Sequence, residues 1–335
     1  MSEVAVTEPV TKAMSTTQRW LLPVRAPFLT ALAAIAAMIV VVLPHLNILG
    51  GGIVPVLQAL TPVVCLAGLA LGLGLMMFQR TRLPGLIVLV GALLGGLPSM
   101  VPGASTADVQ ADRLTVLSVN VQVGNASVSE LTDLILRQKT DVVVLIEADE
   151  NLISEVLSPE VFKDLPFRSR TVTTGGASGS VILSKYALVE EGDIPVPASA
   201  VAFDQPVVRV THPQLGEFRV AAIHPFPPVA GAADWKEGLG AIRDWQNTHT
   251  DLPLIMAGDF NASYAHPVFR QVAKDLVNTA SANGRIAVPT WPATGRVPAF
   301  TSIDHVLVRG FNPMEWERVS VTGTDHYGIL ATVTQ

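Results

Sequence analysis

The sequence predicts a two-sheet sandwich flanked by helices, set behind three apolar segments long enough to cross a membrane. Three observations carry this. Only seven charged residues, Glu3, Glu8, Lys12, Arg19, Arg25, Arg80 and Arg82, precede position 107. From Arg113 onward strand-like and helix-like runs follow each other, but several strands are consecutive, which excludes a simple doubly wound sheet. Nearly every strong strand also carries a carboxylate, carboxamide or imidazole at one end.

The chain of 335 residues is 49% hydrophobic and 15% charged, with a mean hydropathy of +0.44. An ordinary soluble domain carries about 25% charged residues. The apolar excess lies in the first third, where residues 26–46, 53–78 and 83–101 each approach the ~20 residues a spanning helix needs. The first run is longer than the apolar part of a cleaved signal, about 7–15 residues, and two more follow it, so all three are expected to stay. Pro55, Pro62 and the glycines of the second run are compatible with membrane helices.

Lys12, Arg19 and Arg25 precede the first run, and Arg80 and Arg82 lie between the second and third. The loop "NILGGG" between the first two has no charge. The positive-inside rule then predicts a cytoplasmic tail over 1–25, and a C-terminal domain outside the cytoplasm in the cell membrane. Residues 102–112 read as a linker of small and polar residues, and 113–335 as one domain with a core of its own. Cys65 is the single cysteine and falls inside the second run, which rules out an internal disulfide and a thiol catalyst in the outer domain. That domain has 17 basic residues (22 less five) and 26 acidic ones (28 less two), a net of −9. Polynucleotide binders usually show a basic footprint instead.

Along the domain, "RLTVLSVNVQV" reads as a β-branched strand, and "SVSELTDLILRQK" as a helix capped by Ser127 or Ser129. "DVVVLIE" is a continuous apolar strand of the kind buried on both faces. "SGSVILSK", "PVVRVTH" and "EFRVAAIH" follow as strands, then the amphipathic helix "DWKEGLGAIRDWQNTH" and the strand "LPLIMAG". "SIDHVLV", "EWERVSV" and "YGILATV" complete the strand set.

Asn120 interrupts the first of these strands, Glu147 ends the second, and His224 ends "RVAAIH". Asp259 and Asn261 follow "LPLIMAG", two residues apart and so on one face of an extended segment. Asp304 opens "DHVLV", and Asp325 and His326 precede the last strand. Each alone is explained by a bulge, a cap, a turn or a packed histidine. Together they are residues of metal-ligand or acid–base type gathered at strand ends, where layered folds place ligand groups. Oxygen ligands without cysteine select a hard divalent ion, Mg²⁺ or Mn²⁺. With an aspartate to activate water and a histidine to hold developing charge, this is the equipment of a phosphate-ester hydrolase.

The motifs "LSVNVQ", "VVVLIEA", "GSVILSK", "AAIHPFPP", "MAGDFNAS", "SIDHVLV" and "GTDHYGI" stand in the order seen in the endonuclease/exonuclease/phosphatase superfamily of DNase I-like phosphoesterases. The resemblance covers 113–335. It implies an α/β (α+β) four-layer sandwich with two central mixed β-sheets flanked by helices. It further implies that Glu147 holds the metal with Asn120 and Asp325 close to it, and that Asp259 activates the attacking water. Asn261 would position phosphate and water, and His326 would contact the scissile phosphate. Asp304 would fix the His326 imidazole, and His224 would be the second active-site histidine. His305 follows Asp304 on a strand, faces the other way and is expected to be structural. His212, His249 and His266 match no motif.

Substrate is less legible. Arg168 and Arg170, before the Gly-rich "TTGGASGS", are candidate phosphate ligands, and Trp291 in "TWPATGRVPAF" is a candidate pocket wall. A membrane-held active site raises the effective concentration of membrane-borne substrate, which favours a lipid or lipid-linked phosphate ester, with the bilayer itself as a partner. The rivals are an extracytoplasmic DNA or RNA nuclease and a non-catalytic protein that binds a phosphorylated ligand.

Overall fold

In a computed structural model the described residues are 25–100, 112–172, 175–285 and 287–335. Most of the expected tail and linker lies outside them, including the basic residues Lys12 and Arg19.

Among the described residues, four α-helices form the N-terminal part: α1 (Arg25–Val42), α2 (Ile53–Ala59), α3 (Thr61–Met76) and α4 (Arg82–Gly96). Two helical stretches, Pro27–His45 and Gln79–Ser99, are long and apolar enough to cross a membrane. The second expected segment is different. It breaks at Leu60, where α2 and α3 meet at 54°, and the two make a further span only if counted as one. Pro62 stands at the start of α3, where its missing N–H costs nothing, and it ends the run from α2.

Small residues let these helices approach closely. A Cβ on Gly91 would collide with Ala37, and one on Gly95 with Val40, so α1 and α4 run the same way. Gly72 abuts Gly85 and Leu89 while Gly68 abuts Ala92, so α3 runs against α4. Arg80 and Arg82 therefore sit at one end, and Pro44, Pro55 and Ser99 at the other. That other end touches the C-terminal domain: Pro62 and Ser99 share a small cavity with Ser263 and Tyr264.

The domain is a sandwich of two six-stranded mixed sheets. The first contains β1 (Arg113–Asn120), β2 (Val142–Ile146), β3 (Phe167–Arg168), β4 (Ser180–Ser184), β11 (Asn312–Val319) and β12 (Gly328–Thr334), in the order β11-β12-β1-β2-β4-β3. The second contains β5 (Leu188–Asp193), β6 (Pro206–His212), β7 (Gly216–Ile223), β8 (Leu254–Asp259), β9 (Val277–Asn278) and β10 (Asp304–Arg309), in the order β5-β6-β7-β8-β10-β9. One parallel pair sits in each sheet, β1–β2 and β7–β8; the remaining pairs are antiparallel.

Helices α5 (Val128–Gln138), α6 (Glu150–Val156) and α7 (Pro159–Asp164) cover the first sheet. Helices α8 (Ala232–Thr248) and α9 (Pro267–Val272) cover the second, and a short α10 (Thr279–Ala282) follows β9. Four layers result, as the fold class requires. Ser127 is the cap of α5, accepting from the Glu130 N–H.

Strand alternation decides what each face carries. Leu114 and Val116 of β1, Val142, Val144 and Ile146 of β2, Val220 and Ala222 of β7, Ile255 and Ala257 of β8, and Val306 and Val308 of β10 fill the space between the sheets. Continuing the same parity places Asn120, His224, Asp259 and Asp304 on that inner face at its ends. The core between the sheets thus stops in polar groups at one edge.

Candidate active site

Those four residues do converge, and Glu147, Asn261, Asp325 and His326 join them. Asn120 is buried, and its Nδ2 donates to Glu147 Oε1 at 3.0 Å and Asp259 Oδ2 at 3.2 Å. One carboxamide therefore spans two carboxylates from different sheets. Its Oδ1 accepts the Gln122 N–H at 2.9 Å, which fixes the amide's orientation.

Glu147 reaches this position by a backbone device. By strand parity from β2 it would point away from the inner face, but its φ of +58° turns the chain directly after Ile146. Asn261 uses the same device, with φ of +48°. It does not continue an extended segment beside Asp259. Its N–H donates instead to Asp259 Oδ1 at 2.8 Å, and its Nδ2 donates to the Pro225 carbonyl at 3.0 Å. Turn and site are one structure here, because the Asx turn that closes β8 is what orients the aspartate.

His326 and Asp304 form a buried pair, Nδ1 lying 3.0 Å from Oδ2 and 3.1 Å from Oδ1. The other ring nitrogen, Nε2, lies 3.7 Å from Asp259 Oδ2 and 3.9 Å from Asp325 Oδ1. Burial works against a charged His326, but Asp304, Asp259 and Asp325 together outweigh it and raise its pKa well above that of a free histidine. Asp259 is pushed above the ordinary carboxylate range, chiefly by burial; the His326 charge pulls it back, and Asp304 and Glu147 push it further. His224 Nε2 stands 3.7 Å from Glu147 Oε1 and 4.0 Å from Asp259 Oδ2. Burial, then the charge of His326, lowers its pKa to about 3, so the ring is neutral.

Four carboxylates thus face two imidazoles, only one of them charged, at a largely buried edge. Such a surplus of negative charge in low dielectric calls for a cation, and an all-oxygen and imidazole donor set suits a hard divalent ion. Asp259, Asp304 and His326 bring ligand atoms within 4.8 Å of one another, a set that can hold an ion. Asp325 Oδ2 accepts from Trp291 Nε1 at 3.0 Å.

A cavity of about 480 Å³ opens above these groups. Glu147, His224, Asp259, Asn261 and His326 line one end of it, and Trp291 is part of the wall. The two arginines are not. Arg168 makes a two-point ion pair with Glu150, at 2.6 and 3.1 Å, and Arg170 pairs with Glu190 and Asp193 at 2.7 Å each. Carboxylates of neighbouring elements already occupy both guanidinium groups, and neither lines the cavity. His305 faces the opposite side from Asp304, stacked on Phe269 at 4.5 Å, with Nε2 donating to the Ala262 carbonyl.

Sequence reasoning missed several supports. Thr324 is buried; its hydroxyl donates to the Asn120 carbonyl at 2.7 Å and accepts the His326 N–H at 3.1 Å. It ties the two sides of the site together, and its place in "GTDH" was a usable signal. Thr290 Oγ1 accepts the Asp304 N–H at 3.2 Å, and Gln205 Oε1 accepts the His224 N–H at 3.1 Å. Neither has a local sequence signal, because both come from loops remote in the chain.

The profile of the Endonuclease/Exonuclease/phosphatase family matches residues 117–326, nearly the whole sandwich. The chain belongs to this family. Its members hydrolyse phosphoester bonds, and the protein is accordingly a hydrolase acting on ester bonds. Among solved structures it is similar to an endonuclease/exonuclease/phosphatase from Beutenbergia cavernae DSM 12333, with 21% identity over 66% of this chain and 71% of that one (TM-score 0.51). It is also similar to D. rerio TDP2 complexed with single strand DNA product, 14% identical over 67% and 100% of the two chains (TM-score 0.54). A functionally unknown conserved protein from Enterococcus faecalis V583 matches at 15% identity over 66% and 99% (TM-score 0.52). These likenesses speak for the fold. No curated protein sequence matches the chain.

Proposed function

We propose that the protein is a membrane-anchored, divalent-metal-dependent phosphoesterase that hydrolyses a phosphodiester or phosphomonoester of a lipid or lipid-linked substrate. The observation that carries the reaction class is the buried constellation of Asp259, Asn261, Asp304, His326 and His224 beside Glu147 and Asn120. Asp259 accepts a proton from the attacking water, and its raised pKa suits it to a proton's arrival. Asn261, held by its turn, positions phosphate and water. His326, kept charged by Asp304, faces the charge that develops on the phosphoryl oxygens. The new bond joins the water oxygen to phosphorus, and the bond to the leaving oxygen breaks; that oxygen keeps the electron pair, takes a proton from solvent and departs as the alcohol.

Two placements of the ion suit these side chains. Binding at Asp259, Asp304 and His326 would cost the Asp304–His326 hydrogen bond. Binding at Glu147, with Asn120 and Asp325 close by, leaves that pair intact, so we assign the ion there. When bound, Mg²⁺ or Mn²⁺ supplies charge neutralisation for the phosphate. Two apolar helices and one bent helix pair support anchoring. The basic residues Arg80 and Arg82 at the end away from the sandwich support a cytoplasmic N-terminus and an extracytoplasmic active site.

A nuclease is the second reading, favoured by the similarity to a structure solved with a DNA product. Against it stand the domain's net charge and the engagement of Arg168 and Arg170 in ion pairs. The test is hydrolysis of bis(p-nitrophenyl) phosphate by the full chain in detergent, with Mg²⁺ or with EDTA. Chelation is expected to abolish the rate, and Asp259→Asn to lower it by about 10²–10⁴-fold. Turnover indifferent to metal would overturn the reading. Cleavage of duplex DNA with steep salt dependence, and none of phospholipid vesicles, would turn it into the nuclease.

A further inference from the structure

The cavity above the catalytic groups has a second side, and it comes from the N-terminal helices. Pro55, Val56, Ala59 and Leu60, all at the break between α2 and α3, line it. Facing them are apolar residues of the sandwich, among them Phe203 and Phe300. One end of the space is therefore carboxylate, carboxamide and imidazole, and the rest is mostly apolar.

This wall is held in place. His266 Nε2 donates to the Pro55 carbonyl at 2.9 Å, and Arg270 Nη2 to the Pro44 carbonyl at 2.6 Å. Lys236 Nζ reaches the Asn47 carbonyl at 3.5 Å. Three side chains of the sandwich thus grip three backbone carbonyls on either side of the Gly50–Gly52 turn. The break at Leu60 lets α2 lie over the site rather than continue the line of α3. Two further apolar residues of α2, Ile53 and Leu57, are exposed at 66% and 45%.

Resting on the phosphoesterase reading above, we infer that Pro55, Val56, Ala59 and Leu60 are part of the active site and form its apolar subsite. They seat the hydrocarbon part of a membrane-derived amphiphilic phosphoester while its phosphate lies at Asp259 and His326. A wholly polar or polyanionic substrate would leave this wall unfilled and desolvate its own charges against it. A hydrocarbon chain gains by leaving water there, and each buried methylene adds to the preference. Substrate selection in this protein thus belongs to the membrane part as much as to the sandwich.

The test compares two p-nitrophenyl alkyl phosphate diesters, methyl and dodecyl, with the full chain in phosphatidylcholine nanodiscs. The readout is the dodecyl-to-methyl ratio of kcat/KM. Wild type is expected to give a ratio above about tenfold. Ala59→Trp, which fills the space, should bring it below about one third of the wild-type value. Val56→Thr keeps the shape, adds a hydroxyl and should lower it in the same direction, covering the case in which the tryptophan variant does not fold. Because each diester divides between water and bilayer in the same proportion for every variant, a change in the ratio between variants reports the wall. A wild-type ratio near one, or a ratio unmoved by both substitutions, overturns the subsite while leaving the phosphoesterase intact. Binding of dodecylphosphonate, measured by competition with a fluorescent alkyl phosphonate, separates the other failure. Chain-length-selective binding lost in Ala59→Trp, without turnover of either diester, would keep the subsite and sink the catalytic reading.

Discussion

The Nε2–H of His266 donates to the carbonyl oxygen of Pro55 at 2.9 Å, across 211 residues of chain. The Ser263 N–H donates to the other ring nitrogen at 2.9 Å, which leaves the proton on Nε2 and the ring neutral. Burial lowers the pKa of His266 to about 4, and that of His305 likewise to about 4.

Acid should therefore unfold the protein ahead of its carboxylates. An unfolded histidine takes up its proton near pH 6.5, whereas these two resist it until about 4. Their contribution to stability is complete above about 6.5 and is lost as pH falls toward 4, by about 1.4 kcal/mol per pH unit for each group. His266→Gln keeps a donor for Pro55 and removes one titration. Denaturant unfolding of the full chain at several pH values between 7.5 and 4.5 should show a shallower slope in that variant. An unchanged slope would refute the assignment.

Asp304→Asn should lower kcat by about 10²–10⁴-fold with little change in KM, because Asp304 acts through His326 and not on substrate. The carboxylate keeps His326 protonated, so its removal lowers the pH at which the imidazolium is lost. The alkaline limb of the kcat profile must then move to lower pH. A simple loss of folded protein would leave that limb in place.

Metal placement is decided by two variants. Glu147→Gln is expected to weaken Mn²⁺ binding, followed by electron paramagnetic resonance, at least about tenfold. Asp304→Asn should leave the affinity much closer to that of wild type. The reverse pattern would put the ion at Asp259, Asp304 and His326.

Two glycines should respond in opposite ways. Gly258 has a φ of +147°, and a Cβ there would run into the Ile223 carbonyl on the neighbouring strand. Gly258→Ala should cost about 3 kcal/mol or more of stability and disturb Asp259 beside it. Gly240, within α8, has open space where its Cβ would stand. Gly240→Ala should stabilise by about 0.5–1 kcal/mol. Thermal melts of the two variants check both.

Much of the site was legible before the fold. Asn120, His224, Asp259 and Asp304 were visible because each terminates or interrupts an apolar run, and strand parity sends all four to one face. Thr324 was legible in principle within "GTDH". Arg168 and Arg170 misled, since a basic pair before a Gly-rich stretch looks the same whether its partner is a phosphate or a carboxylate. The partners, Glu150, Glu190 and Asp193, belong to α6 and β5, and nothing in the local sequence brings them near.

By itself, then, the sequence determined the layers, the strand ends and the chemical type of the site, because period and composition are local properties of the chain. Tertiary structure alone decided which carboxylate meets which imidazole, how Glu147 turns back toward Asn120, and that the second apolar run breaks at Leu60 to roof the cavity. Those outcomes depend on the packing of separate segments, from 22 residues apart for Asp304 and His326 to 211 for Pro55 and His266. A hydrogen bond between Pro55 and His266 leaves no periodicity in either segment, so only the folded chain could reveal it.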